Sequence, residues 1–166
     1  MKKIIFALAL LVTVNANAQK EGSVPPAKAI YFELGGPGIA SLNYDMRFSR
    51  SESGLGGRIG IGGFSLKDDY ESVGVIFVPV GINYLIGKDN KNYFELGAGF
   101  TYVSSNESSN YYDEDGNFRS TFGHLNFGYR LQPANGGFFF RAAINPVFGK
   151  GFFIPYYGGL AFGYKF

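Results

Sequence analysis

Acid–base chemistry in this chain would have to begin at His124, the only histidine among 166 residues. An imidazole works as a general base when a nucleophile and an orienting acid lie within hydrogen-bond reach. In the run "GHLNFGYRL" a period of two puts Asn126 on the same face as His124, where a serine would have served that chemistry. The candidate acids are Glu33 and Glu95, and no spacing in the sequence sets either beside the imidazole. His124 is therefore read as a polar interior residue, and no catalytic residue is expected. One histidine without cysteine is poor material for a transition-metal site, so neither a metal nor a cofactor is expected.

A second candidate is the polar stretch "SSNESSNYYDEDGNFRS". Asp113, Asp115 and Asn117 have the alternate spacing of the first ligands in a calcium loop. Position six of that motif would be Phe118 instead of glycine, and no glutamate stands at position twelve. Asp115-Gly116 reads better as a loop-tip turn. Tyr111 and Tyr112 form an exposed pair that could touch a partner.

The remaining chemistry lies in charges scattered singly among apolar residues: Glu33, Asp45 and Glu95 with Arg47, Arg58, Arg130, Arg141 and Lys165. What they can do depends on the elements that carry them. The chain opens "MKKIIFALALLVTVNANAQK", with a basic start at Lys2 and Lys3, an apolar run from Ile4 to Val14, and a small-residue site at Ala16-Asn17-Ala18. This pattern predicts a secretory signal peptide over 1–18, cleaved between Ala18 and Gln19. The segment holds two lysines and no acid, so the 15 basic and 13 acidic residues become 13 of each after cleavage. No basic patch for nucleic acid is indicated. With no cysteine, disulfides, thiolate metal sites and a lipoprotein anchor are all excluded.

Twenty-five glycines, about twice the usual share, accompany 18% aromatic residues and no tryptophan. Beyond the signal there is no apolar run of about 20 residues, hence no spanning helix. Instead, after a polar leader over 19–27, segments of period two follow one another at 28–36, 38–48, 55–66, 75–86, 92–104, 118–132, 137–148 and 153–166. Eight is an even number, as an up-and-down barrel in a bacterial outer membrane requires. The links at Ser49–Gly54, Gly87–Lys91 and Gln132–Gly136 are short. Those at Lys67–Gly74 and Ser104–Arg119 are longer, and Gly35-Gly36-Pro37-Gly38 makes a tight first turn. Short periplasmic turns and longer outer loops fit that assignment.

The two faces keep different company. Phe94, Leu96, Ala98, Phe100 and Tyr102 oppose Tyr93, Glu95, Gly97, Gly99 and Thr101; Leu42, Tyr44 and Met46 oppose Ser41, Asn43, Asp45 and Arg47. Exposed to water, the aromatic face would form a patch far above what soluble monomers show; against lipid it is expected. The predicted fold is an all-β, eight-stranded antiparallel up-and-down transmembrane barrel over 28–166. Phe48, Tyr84, Phe94, Tyr129, Phe138, Tyr164 and Phe166 would form the periplasmic aromatic girdle. Glu33, Asp45, Arg47, Arg58, Glu95, His124, Arg130, Arg141 and Lys165 would form a polar network inside, with Asn43, Asn83, Asn126 and Asn145 satisfying spare donors and acceptors. An eight-stranded interior is just wide enough for side chains to fill it, which excludes a wide porin. The alternative is a narrow gated pore whose ion pairs switch partners. A soluble ligand-binding barrel would invert the faces, with aromatics inside and charges outside.

The signal peptide, the eight alternating segments and the terminal "FGYKF" resemble the small outer-membrane β-barrel proteins of Gram-negative bacteria. The stretches "YFELGGPGIASLNYDMRF", "NYFELGAGF" and "LNFGYRLQPANGGFFFRA" are similar to a branch of that group without established catalytic residues to carry over. The resemblance implies that Phe162, Tyr164 and Phe166 form the C-terminal signal read by the barrel-assembly machinery. It also implies residence in the outer membrane as a monomer surrounded by its lipid, with a role in envelope structure or surface contact. Some such barrels are outer-leaflet lipid-modifying enzymes, the reading under which His124 would have been catalytic.

Overall fold

The computed structural model describes residues 25–67, 71–109 and 116–166. The signal-peptide and cleavage expectations, including Ala18 and Gln19, lie outside the described residues, as do Tyr111, Tyr112, Asp113 and Asp115. Among the described residues ten strands form: β1 (Lys28–Gly35), β2 (Ala40–Arg47), β3 (Gly54–Lys67), β4 (Glu71–Ile86), β5 (Asn92–Ser109), β6 (Gly116–Leu131), β7 (Gly137–Ile144), β8 (Val147–Gly149), β9 (Phe152–Ile154) and β10 (Gly158–Lys165). Each of β1 to β6 pairs antiparallel with the next, β7 pairs with β10, and β10 pairs back to β1. The wall is a closed barrel of eight strands, all-β and up-and-down, with β8 and β9 as a small hairpin on its rim.

Closure runs from Ala29↔Lys165 to Gly35↔Gly159 and is completed by reciprocal backbone hydrogen bonds between Lys28 and Phe166. A closed ring leaves no free edge in the wall, the condition for a sheet to sit in hydrocarbon. The exposed large apolar side chains confirm which way the wall faces. Ile30, Phe32 and Leu34, then Ile82, Tyr84 and Ile86, all point outward and are about half exposed. Each girdle residue foreseen from the sequence lies on this outer face. The inverted arrangement of a soluble barrel is thereby excluded.

Three boundaries differ from the sequence reading. The expected long loop Ser104–Arg119 is largely ladder, because β5 and β6 stay paired through Ser104↔Arg119, Ser105↔Phe118, Asn106↔Asn117 and Glu107↔Gly116. Polar side chains there report contact with water and not a break in backbone pairing. The link expected at Lys67–Gly74 shortens for the same reason, with pairing held as far as Lys67↔Ser72. The last two expected strands, in contrast, are interrupted at Asn145-Pro146 and at Pro155-Tyr156-Tyr157. A proline has no N–H to give a ladder. The wall is patched there by Leu125 N–H donating to the Pro146 carbonyl (2.9 Å) and Asn145 N–H donating to that of Tyr157 (2.6 Å).

The links at the end of the barrel that holds both β1's start and β10's finish are short and locally capped. In the β4–β5 turn the Asp89 carboxylate accepts from the Lys91 and Asn92 backbone N–H groups (3.1 and 2.7 Å) and from the Asn92 side chain. The Asn92 side-chain bond, first among these contacts, holds its carboxyl below the usual range. The first link is a single 3-10 turn, Gly36–Gly38, entered through Gly35 at φ 71°. A side chain at Gly35 would collide with the Gly158 carbonyl across the seam, so both the dihedral and the close approach require glycine.

Candidate functional site

Inward positions on six strands bring the charges together. β1 supplies Glu33, β2 Asp45 and Arg47, β3 Arg58, β5 Glu95, β6 Arg130 and β7 Arg141. They form one continuous alternating chain. Arg47 bonds Asp45 (2.7 Å), Asp45 bonds Arg130 (2.8 Å), Arg130 bonds Glu95 (3.2 Å) and Glu95 bonds Arg141 (3.1 Å). Arg141 then bonds Glu33, and Glu33 meets Arg58 at 3.5 Å. Four guanidiniums alternate with three carboxylates, and none of the seven residues is more than 5% exposed.

Neutral groups fill some of the remaining valences, while the Nε groups of Arg47, Arg130 and Arg141 stay without a hydrogen-bond partner among the described residues. The Asn83 side chain accepts from Arg47 and donates to Asp45, while Arg47 also donates to the Gly54 carbonyl (2.9 Å). Asn126 donates to Glu95 (2.9 Å). Gly56, inward on β3, leaves the space in which the Arg47 guanidinium lies, since a Cβ there would overlap it.

Two aromatic rings absent from the sequence-derived set share this interior. Tyr31 and Phe139 stack with centroids 4.7 Å apart and 14° between planes. Arg130 lies over the Phe139 ring (4.7 Å) and Arg141 over the Tyr31 ring (5.4 Å). The rings thus cover the apolar faces of the two guanidiniums that also hold three carboxylates between them. The signal for both was present: Tyr31 is two residues from Glu33 and Phe139 two from Arg141, so parity places each on the charged face. The run "GGFFFRA" hides it, because its outward neighbours are also phenylalanine.

Lys165 stands apart from the chain. Its ammonium bonds Glu52 (2.6 Å) and the Ala134 carbonyl, and Gln132 donates to the other Glu52 oxygen (3.1 Å). Glu52 reaches in from the β2–β3 turn, a segment the sequence reading treated only as a polar link. Glu52→Gln is expected to lower stability by about 1 kcal/mol, the value of one partly buried charge-assisted hydrogen bond. Urea unfolding of the protein folded into phospholipid vesicles measures it, and an unchanged midpoint would mean that the pair contributes nothing.

His124 is 1% exposed. Its Nε2 faces an Arg58 Nη2 at 3.3 Å and its Nδ1 faces the Thr101 hydroxyl at 3.5 Å. A guanidinium can only donate, so Nε2 must accept, and Nδ1 carries the proton. The lone pair a general base would use is therefore directed at a cation, with no carboxylate or serine among its hydrogen-bond partners. Asn117 sits in the β5–β6 ladder opposite Asn106. Among the described residues no three His, Asp or Glu side chains converge as metal ligands. Phe162, Tyr164 and Phe166 stand on the outer wall, about half exposed.

No protein-family model matches the chain, and no curated protein matches it. Solved structures do. The N-terminal β-barrel domain of Pseudomonas aeruginosa OprF superposes with a TM-score of 0.59 at 14% identity, covering 88% of this chain and 100% of that one. Ail of Yersinia pestis, solved in complex with the heparin analogue sucrose octasulfate, gives 0.52 at 14% identity over 86% of this chain and 99% of its own. Neisserial surface protein A gives 0.50 at 9% identity over 84% and 91%. The closed ring of eight strands, its apolar exterior and these superpositions give one conclusion: the chain has the fold of the small eight-stranded outer-membrane β-barrels.

Proposed function

We propose that the protein is a non-enzymatic integral outer-membrane barrel with a sealed polar plug, and that it serves envelope structure or surface contact. The observation that carries this reading is the unbroken chain from Arg47 to Arg58, six ion pairs with every member buried. Such a chain fills an eight-stranded interior from wall to wall and leaves no aqueous path. Lipid as the surrounding medium is supported by the outward apolar belt. A monomer is supported by a ring that leaves no free edge at the height where β1, β2, β7 and β10 close it. Delivery by a signal peptide over 1–18 and insertion by the barrel-assembly machinery, reading Phe162, Tyr164 and Phe166, complete the proposal. A surface-contact role is supported by the tall β3–β6 wall and by the aromatic β8–β9 hairpin, which rise at the end opposite the termini. Ail, of the same fold, was crystallised with a sulfated sugar.

Planar-bilayer recording tests the plug. The purified protein is expected to give no stepwise conductance, and reproducible single-channel steps would overturn the plug in favour of a narrow pore.

A further inference from the structure

The interior changes character above the row that holds Arg58 and His124. The next inward rows, read across paired strands, are Pro79–Thr101–Phe122, Gly62–Phe77–Val103–Ser120 and Phe64–Val75–Ser105–Phe118. None carries a charge, and aromatic rings recur where arginine, asparagine and glutamate stand lower down. The outward side changes in the opposite sense. Toward the rim its rows pass from Val78–Tyr102–Thr121 through Gly63–Ile76–Ser104–Arg119 to Ser65–Gly74–Asn106, so polar residues replace apolar ones only at the top of the wall. Lower in the barrel apolar residues face out and charged ones in; at the rim the outward row is polar, and the inward rows are uncharged and rich in phenylalanine and valine. That is the pattern of a wall standing in water around an apolar space.

Only part of the ring reaches this height. β1 ends at Gly35, β2 begins at Ala40, β7 ends at Ile144 and β10 begins at Gly158, whereas β3 to β6 run on and the β8–β9 hairpin stands beside them. The apolar inner side is consequently open. Phe64 is 42% exposed and Phe118 61%. Phe152 and Ile154, on the hairpin face that includes Val147, are 44% and 47% exposed. Ring contacts tie the lining together, Phe64 with Phe77 (6.1 Å) and Phe122 with Phe152 (6.4 Å). The floor is closed, since Arg58 and His124 are 5% and 1% exposed.

We propose that this vestibule is a dead-end binding site for one hydrocarbon chain of a soluble amphiphile. The throat where the closed ring meets the β3–β6 wall sets the class, because an eight-stranded interior admits side chains or one small ligand and not a folded segment. The uncharged aromatic and valine lining sets the polarity. The polar outward row at the rim sets the source, since the lining opens at that rim, toward the water, and not through the wall to the surrounding lipid. The closed floor makes the site one of capture, not passage, which goes beyond the structural role proposed above.

The test uses decanoate and the full mature chain in phospholipid nanodiscs, followed by valine methyl NMR. Saturable shifts are expected at Val75, Val103 and Val147, and none at Val80, which faces outward on β4. Phe64→Asn combined with Phe118→Asn, both at exposed lining positions, is expected to weaken binding at least tenfold, with the β-sheet circular dichroism of the double variant unchanged. Absent shifts, shifts that grow linearly and equally at Val80, or an affinity unchanged in the double variant would each overturn the proposal. None of these results depends on whether the plug conducts.

Discussion

Arg130→Met is expected to lower the unfolding free energy by about 3–5 kcal/mol, the cost of removing one member of a buried ion-pair set and leaving two buried carboxylates short of a cation. Arg130 bonds Asp45 through both terminal nitrogens, at 3.2 and 2.8 Å, and Glu95 at 3.2 Å, and its guanidinium also covers the Phe139 ring. Removing it leaves two fully buried carboxylates facing each other across the interior, Asp45 held only by Arg47 and Asn83, Glu95 only by Arg141 and Asn126. Adding Asp45→Asn to the same chain removes one of the two under-paired carboxylates and returns the network to its original excess of one positive charge. The double variant is expected to recover at least half of the loss. Urea midpoints of the single and double variants, folded into phospholipid vesicles, complete the cycle. A double variant whose loss equals the sum of the two singles would mean that the pair acts through packing alone. The wild-type chain is expected to contribute less than these losses suggest, because desolvation of seven charges offsets most of their attraction.

Gly163→Val is expected to cost about 3 kcal/mol and to lower the yield of folded barrel. Gly163 lies inward on β10 between Tyr31 on β1 and Phe139 on β7 in the paired register. With no side chain between them, the two rings meet and stack across it. A Cβ at Gly163 would overlap the Ile30 carbonyl and the Tyr31 backbone and Cβ. Relief requires the seam between the first and last strands to shift, which is the pairing that closes the barrel. Overpacking of this kind costs about 1–3 kcal/mol, and losing the ring stack adds about 0.5–1.5 kcal/mol. The control is Gly158→Ala on the same strand, where a Cβ meets nothing within 4 Å. Its midpoint is expected to stay within about 0.5 kcal/mol of wild type. Equal losses at 163 and 158 would mean that glycine at 163 serves strand flexibility and not the stack.

These two expectations mark what can be read from the sequence and what cannot. The strand count, the closed up-and-down order and the outward belt are legible, because a wall between lipid and a narrow interior forces strict alternation. Phe100 and Thr101 are adjacent in the chain, yet one is 53% exposed and the other fully buried. The face each charge takes follows from the same period of two. Partners do not. Asp45 and Arg130 are 85 residues apart, and which acid meets which arginine depends on strand stagger, a property of the closed ring and not of any single segment. Glu52 was illegible for a different reason, since a turn residue has no fixed face and reaches Lys165 only once the ring is closed. Polarity misled at Ser104–Arg119: serine, asparagine and arginine there signal water outside the wall, while Phe118 and Phe122 beside them signal the apolar space within. Pro146 and Pro155 carried their own warning, each lacking the donor an unbroken strand would need.

The central claim is that, within the closed ring, one face of each wall strand meets lipid while the other is sealed from both lipid and water. Single cysteines at Phe100, Thr101, Ala142 and Ala143, each labelled with a small fluorophore and reconstituted in vesicles, test it with a quencher confined to the acyl chains. Strong quenching at 100 and 142 with little at 101 and 143 is the predicted result. Equal quenching at all four positions, or strong quenching at 101 and 143, would contradict the account.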